Sequence, residues 1–297
     1  MHIGVITCEI LRKEIGAVIR RAGIDRIFFL LPEPNNLALT ILTKKVNERF
    51  SSELAEVARI KSKSKLNVKE KTITGIAKEI RADNIKDSLI IRVLELQLHD
   101  YPDKLLAEIE ACLKAMSSVV DFVILGYGLC GSTAREIERV IENVEVPVLI
   151  PRDKKGAILN NCIEIALGKE KVQTLLREEI GTFFMTPAGA ALIKEPQVIL
   201  ESSVGIMAGN SKRSAASDTR RIMKIMENHY QRVVKICYTE ADEGDIEYRK
   251  TVDKFASKFG LEIKNVRGSS KLVLEALEEG CRISEDAREG RGERGDN

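Results

Sequence analysis

Residues 119–131, VVDFVILGYGLCG, decide the fold of this chain. The first seven are almost continuously apolar and rich in β-branched side chains, a pattern typical of a parallel strand that is buried on both faces. Gly126, Gly128 and Gly131 then allow a tight turn, and residues 133–143 have the apolar spacing of a helix. The stretch therefore predicts a strand, a glycine-rich turn and a helix, the repeating unit of parallel α/β sheets.

Similar units are predicted on both sides of this stretch. An apolar run at residues 2–8 precedes a helical pattern over 9–22, and Pro102 marks the start of another helix because its missing amide hydrogen costs nothing in the first turn. Residues 51–71 predict a surface helix or loose connection, and 181–191 a loop. Further strands are expected at residues 26–31, 88–98, 146–150, 232–238 and 262–266, and further helices at 36–50, 73–82, 105–116, 218–230, 248–259 and 272–277. The predicted fold class is α/β, with Rossmann-like parallel sheets flanked by helices.

The length of 297 residues favours two domains. We expect two α/β lobes with a cleft between them. Residues 1–195 are predicted to form the larger lobe and residues 196–282 the smaller one. Residues 283–297 are charged and contain glycine, so we expect a disordered tail.

Composition excludes several classes of partner. The chain has 47 basic and 45 acidic residues, so no large field favours nucleic acid. No apolar run approaches the roughly 18 residues that a membrane span requires, and we expect a cytoplasmic protein without a membrane partner. Six scattered cysteines are expected to be reduced thiols, which makes metal binding or redox chemistry the natural hypothesis.

Cys8, His99, Cys130 and Cys162 all fall at predicted strand ends or helix starts. The carboxyl ends of parallel strands face one crevice, so these distant residues are expected to converge as metal ligands. Helix amino termini at that edge would favour the thiolate form. Three thiolates and an imidazole suit tetrahedral zinc, whereas three thiolates with an open corner suit an iron–sulfur cluster or a substrate-activating metal. The sequence leaves that choice open, and also whether His99 is a ligand or structural.

Three further residues are candidates for binding a cofactor. Arg152 could neutralise an anionic ligand or cofactor tail, although basic loops are commonly solvated. Gly128 and Gly131 belong to a Gly-x-Gly-x-x-Gly spacing that follows a strand, as in dinucleotide sites, but no convincing acidic ribose partner follows. A tight turn around Cys130 is the more natural role of these glycines.

Several motifs together resemble a known family over roughly residues 1–277. They include Thr7-Cys8-Glu9-Ile10-Leu11, Leu98-His99-Asp100-Tyr101-Pro102, Tyr127-Gly128-Leu129-Cys130-Gly131, Asn161-Cys162 and Gly181-Thr182-Phe183-Phe184-Met185-Thr186. In this order they resemble the family catalogued as domain of unknown function 1638, found in archaea and bacteria and often among methanogens. The chain departs from the family pattern at Asp100, where Asn is usual, and at Asn161, where His or Asp is usual.

Two classes of function remain open. The resemblance implies a link to one-carbon, methyl-transfer or corrinoid-linked metabolism, with a methyltransferase or corrinoid protein as partner. The first hypothesis is therefore an enzyme or activation factor that binds a metal or metallocluster through cysteine thiolates. The alternative is a non-catalytic module that binds a small molecule or a partner protein in the cleft. A nucleotide-using enzyme is the third reading, and the sequence does not decide whether the chain is an enzyme.

Overall fold

The computed structural model describes residues 1–33, 37–60, 66–194 and 229–292. It divides the chain into two compact units: one combines Met1–Cys162 with the chain from Ser270 onward, and the other is Ile163–Ser269. The sequence placed the boundary near residue 195, whereas the chain leaves the first unit directly after Cys162. The predicted helix over 218–230 lies almost entirely outside the described residues, and the cleft stays a prediction.

The first unit contains a six-stranded sheet in which every neighbouring pair of strands is parallel. The strand order is β3-β2-β4-β1-β5-β6. The strands are β1 (His2–Cys8), β2 (Arg26–Leu30), β3 (Asn67–Lys71), β4 (Ser88–Leu94), β5 (Phe122–Gly126) and β6 (Val148–Leu149). This architecture confirms the predicted Rossmann-like α/β fold class.

The helices of the first unit begin and end largely where the sequence signals lie. Thr133 caps one helix by a reciprocal pair of hydrogen bonds with Glu136, and Pro102 opens another. The helices are Arg12–Ala22, Leu37–Glu48, Ser51–Ile60, Ile73–Ala82, Pro102–Ser117, Ala134–Glu142 and Lys271–Gly292, with 3-10 turns at Glu9–Leu11 and Leu96–Asp100. In the described part of the chain, no helix is long and apolar enough to cross a bilayer.

The centre of the sheet positions the candidate site. β4, β1 and β5 are neighbours, and β4 and β5 are buried along their whole length. Between β4 and β5 the chain crosses from one side of β1 to the other. Ligands of open α/β sheets bind at the carboxyl ends of strands next to such a crossing.

The second unit has a smaller parallel sheet in the order β7-β8-β9. Its strands are β7 (Thr182–Met185), β8 (Arg232–Cys237) and β9 (Glu262–Arg267). The described helices of this unit are Lys169–Glu178, Pro187–Lys194, Glu240–Gly244 and Ile246–Phe259, and they follow the short helix Cys162–Leu167, which begins at the last residue of the first unit. The loop expected over residues 181–191 was wrong, because Thr182–Met185 pairs with β8. That partner is far away in sequence, and local pattern does not reveal it.

Two further expectations need correction. The helix expected within residues 51–71 is present as Ser51–Ile60, but the sequence missed the strand β3, which pairs with β2. Of the tail expected to be disordered over residues 283–297, residues 283–292 belong to the helix Lys271–Gly292, and residues 293–297 lie outside the described residues. That helix packs against β5 and the helix Arg12–Ala22, and Arg288 pairs with Asp121 at 3.2 Å. These tertiary contacts stabilise a segment whose composition alone favours disorder.

Candidate metal centre

Cys8 is the last residue of the central strand β1 and is fully buried. The chain turns immediately into the 3-10 segment Glu9–Leu11, and the amide of Ile10 donates a hydrogen bond to Cys8 Sγ at 3.4 Å. An amide directed at a sulfur stabilises the thiolate. The strand end therefore both places this thiol and favours its metal-binding form.

His99 lies in the 3-10 segment that directly follows β4. Its Nδ1 lies 2.8 Å from the carbonyl oxygen of Leu96. A carbonyl oxygen can only accept, so Nδ1 must carry the hydrogen and donate. Nε2 is then the nitrogen left for the cysteines, which is the usual arrangement of a metal-ligating histidine.

Cys130 lies in the glycine-rich turn after β5. Its backbone adopts a left-handed conformation with φ of 46°, which is uncommon for a residue with a side chain. The amide of Cys130 donates to the carbonyl of Asn160 at 2.8 Å, and the amide of Leu129 donates to the carbonyl of Leu159, also at 2.8 Å. These two hydrogen bonds join the turn to the segment that leads into Cys162.

Gly128 and Gly131 make this close packing possible. A Cβ at Gly128 would lie 2.5 Å from the amide nitrogen of Asn161, and a Cβ at Gly131 would lie 2.7 Å from Pro102 Cγ. Gly131 also has a φ of 95°, which glycine alone adopts without strain. The two glycines thus let the Cys130 turn approach the segments that carry Cys162 and His99. Their part in cofactor binding stays a prediction.

The structure brings three of the four predicted ligands into one mutual group. Cys8 Sγ, a ring nitrogen of His99 and Cys162 Sγ all lie within 4.8 Å of one another. Cys130 is not in this mutual group, but the neighbouring side chains of Cys162 and His99 both lower its pKa. Ligands of a tetrahedral ion at about 2.3 Å lie roughly 3.8 Å apart. A contraction of about 1 Å or less would therefore bring the three ligands of the mutual group to bonding distance of one ion.

The neighbouring side chains of the cluster shift the pKa values of its cysteines in opposite directions. Burial would raise the pKa of Cys8, but hydrogen bonding to Cys162 and the charge of His99 hold it well below its usual value. Hydrogen bonding to Cys162 lowers the pKa of Cys130 to about 6, despite burial, whereas hydrogen bonds to Cys130 and Cys8 raise the pKa of Cys162. Burial would lower the pKa of His99, but the charge of Cys8 and hydrogen bonds to Cys130 and Cys8 raise it to about 11. The cluster thus favours the thiolate form of Cys8 and Cys130, which is the form that binds metal.

Glu9 braces the His99 segment from the end of β1. Its side chain is 1% exposed, and its Oε2 accepts a hydrogen bond from the amide of Leu96 at 3.1 Å. Arg49 pairs with the same carboxylate, which compensates for the burial of its charge. Because Leu96 also accepts the hydrogen bond of His99, Glu9 holds the turn that orients the imidazole.

Arg152, the predicted anion-binding residue, is engaged with its own surroundings. Its Nη1 donates to the carbonyl of Gly156 at 2.9 Å and lies 3.6 Å from Glu138 Oε1. The side chain is 40% exposed. The structure thus places Arg152 on a solvated loop, and binding of an anionic ligand there stays a prediction.

Tyr127 belongs to the cluster although sequence reasoning did not single it out. It is fully buried, and its ring stacks on that of His99 with centroids 5.9 Å apart. Burial raises the pKa of Tyr127, and the nearby sulfurs of Cys8, Cys162 and Cys130 raise it further. The sequence signal that could have identified Tyr127 was its position between Gly126 and Gly128, directly after the clearest predicted strand.

The fold and this cluster define an α/β protein with buried cysteines and a histidine at the ends of its central strands. A family profile described as protein of unknown function (DUF1638) matches residues 93–277, and the chain belongs to this family. The match confirms the resemblance over that range, which contains His99, Cys130 and Cys162 and begins after Cys8. No curated protein matches the chain.

Proposed function

We propose that this protein binds a single thiophilic metal ion, zinc in the first place, through Cys8, His99, Cys130 and Cys162. The observation that carries the proposal is the mutual 4.8 Å spacing of the donor atoms of Cys8, His99 and Cys162. Thiolate and imidazole donors in a tetrahedral arrangement suit zinc. Cys130, in hydrogen-bond contact with two of the three, is the fourth ligand.

The spacing favours one ion over an iron–sulfur cluster. A cluster places several iron and sulfide ions between the cysteine sulfurs, and donor atoms within 4.8 Å of one another leave room for a single ion. The presence of an imidazole also favours a single ion, since thiolates alone are the common ligands of iron–sulfur clusters. We therefore expect zinc-loaded protein to lack acid-labile sulfide, including after anaerobic purification.

Metal reconstitution tests this proposal. The full chain is stripped with a chelator under reducing conditions and reloaded with zinc or cobalt(II). We expect one ion per chain and, with cobalt, an intense near-ultraviolet absorption from thiolate-to-cobalt charge transfer. A chain that remains folded but retains no ion at micromolar zinc contradicts the proposal.

The reaction setting is a finer part of the proposal. We place the site in one-carbon or methyl-transfer metabolism with a corrinoid or corrinoid protein as partner. The support is the family resemblance together with the thiolate donors, because a sulfur bound to a metal can accept a methyl group. Binding of methylcobalamin to the zinc-loaded chain, followed by difference absorbance, tests it. Absence of binding at millimolar cobalamin would leave a metal-binding module of another metabolism.

A further inference from the structure

The hydroxyl of Tyr127 is a buried polar group whose hydrogen-bonding capacity is not used within the protein. The side chain is fully buried, and its oxygen has no hydrogen-bond partner among the described residues. Leaving a buried hydroxyl unsatisfied is costly, and such groups deserve a functional explanation. Tyr248, the other fully described tyrosine in a core, donates to the carbonyl of Met185 at 2.7 Å.

The position of Tyr127 directs this hydroxyl to the cluster. Its ring lies against His99 at an angle of 24°. The sulfurs of Cys8, Cys162 and Cys130 are near enough to raise the pKa of its hydroxyl. The hydroxyl therefore lies beside the cluster and has no hydrogen-bond partner there among the described residues.

Cys130 differs from the other ligands in the way it is held. Cys8 ends a strand and Cys162 starts a helix, whereas Cys130 lies on a turn between glycines with a left-handed backbone. It is also outside the mutual 4.8 Å group formed by Cys8, His99 and Cys162. Cys8, His99 and Cys162 thus form the mutual group, and Cys130 is the proposed ligand that stands outside it.

We propose that the metal exchanges Cys130 for an external thiol, which the hydroxyl of Tyr127 then holds by a hydrogen bond. This inference rests on the proposed metal site. The coordination position of Cys130 accommodates a thiolate sulfur, so the thiolate of an external molecule matches that position in size, charge and softness. Two cysteines and one histidine would remain as protein ligands, the pattern of a catalytic zinc that keeps one position for substrate.

The exchange is a substitution without redox change. The bond between the metal and Cys130 Sγ breaks, and a bond between the metal and the external sulfur forms. The proton of the external thiol moves to the released Cys130 thiolate. Net charge around the ion is unchanged, and Tyr127 donates its hydroxyl hydrogen to the sulfur that has entered.

Binding of 2,2,2-trifluoroethanethiol to the zinc-loaded full chain tests the inference, with fluorine NMR as the readout and zinc content measured in parallel. We expect a bound signal with wild-type protein. Tyr127→Phe should retain zinc and bind the thiol about tenfold more weakly, the effect of losing one hydrogen bond to a charged group. Cys130→Ala should bind it more tightly than wild type, because the competing ligand is gone. Tyr248→Phe is the matched control and should leave thiol affinity unchanged.

The outcomes separate this inference from the function on which it rests. A chain that holds no zinc overturns the metal site itself. Zinc-loaded wild type and Cys130→Ala that both fail to bind the thiol overturn the exchange alone, as does loss of zinc from Cys130→Ala in the presence of the thiol. Equal thiol affinity in wild type and Tyr127→Phe overturns the role of Tyr127.

Discussion

Cys8 and Cys237 occupy the same local position in two different sheets. Each is the last residue of a parallel strand that is buried almost throughout, β1 in one unit and β8 in the other. Each is at most 2% exposed. Burial raises the pKa of Cys237, whereas the cluster around Cys8 holds the pKa of Cys8 well below its usual value. Burial at a strand end therefore does not decide the chemistry of a thiol.

The neighbours of the two strands make the difference. β1 lies between β4 and β5, whose following turns deliver His99 and Cys130 to the same edge. Cys237 instead lies in a core formed with Met185, Val233 and Tyr248. A buried thiol becomes a metal ligand when adjacent strands bring further donors to it, and it remains an apolar core residue when they do not.

Replacing one thiol from each region gives the largest expected difference. Cys162→Ala removes a ligand from the mutual 4.8 Å group, and zinc content should fall from one ion per chain to nearly zero after dialysis. Cys237→Ala, which is equally buried, should keep its zinc. Elemental analysis of both variants, with circular dichroism as a folding check, makes the comparison. Similar zinc content in the two variants would remove the distinction.

Removing the metal should affect the two regions differently. A ligand that binds only the folded state stabilises it by about 4 kcal/mol at 1,000 times its dissociation constant. We expect a chelator to speed amide hydrogen exchange in β1 and β5 and to leave β8 unchanged. Mass-spectrometric peptide exchange measures both in one sample. Equal acceleration in β1 and β8 would contradict a site confined to the first unit.

A methyl group at Gly128 tests how the Cys130 turn is held. Its Cβ would lie 2.5 Å from Asn161 N and 2.6 Å from Leu159 O, backbone atoms that cannot move away without separating Cys130 from Cys162. We expect Gly128→Ala to lower the free energy of unfolding by about 2 kcal/mol and to weaken zinc binding. Gly244→Ala is the control, since its Cβ would meet nothing within 4 Å. Denaturant unfolding of both variants measures the difference in the free energy of unfolding. Equal unfolding curves for the two variants would mean that the close packing of Gly128 against Asn161 is not required.

Of the four changes, replacing the carboxylate of Glu9 should have the smallest effect on zinc binding. Glu9→Gln retains the size of the side chain but weakens its hold on Arg49 and on the amide of Leu96. Loss of a group that orients a metal ligand typically costs at least about tenfold in affinity, and we expect that loss in a competition with a chromophoric chelator. Glu278→Gln, which weakens an exposed pair with Arg21, should bind zinc as wild type does. Unchanged affinity in Glu9→Gln would show that the turn holds His99 without it.

The convergence of the cluster could be predicted from sequence because each residue follows a recognisable strand or opens a helix. Parallel strands share one carboxyl edge, so local signals at Cys8, His99 and Cys162 were enough for the mutual group, whereas ligation by Cys130 stays a prediction. The contribution of Tyr127 could not be derived, because stacking on His99 depends on the neighbouring order of β4, β1 and β5. β7 and the continuation of the carboxyl-terminal helix beyond residue 277 were missed for the same reason. Their stability comes from partners distant in sequence, which local periodicity does not report.

X-ray absorption at the zinc edge of the loaded protein counts the sulfur and nitrogen ligands of the ion. We predict three sulfur ligands at about 2.3 Å and one nitrogen at about 2.0 Å, with the sulfur count unchanged in Cys237→Ala. A first shell of oxygen and nitrogen alone, or a sulfur shell that persists intact in Cys162→Ala, would contradict it.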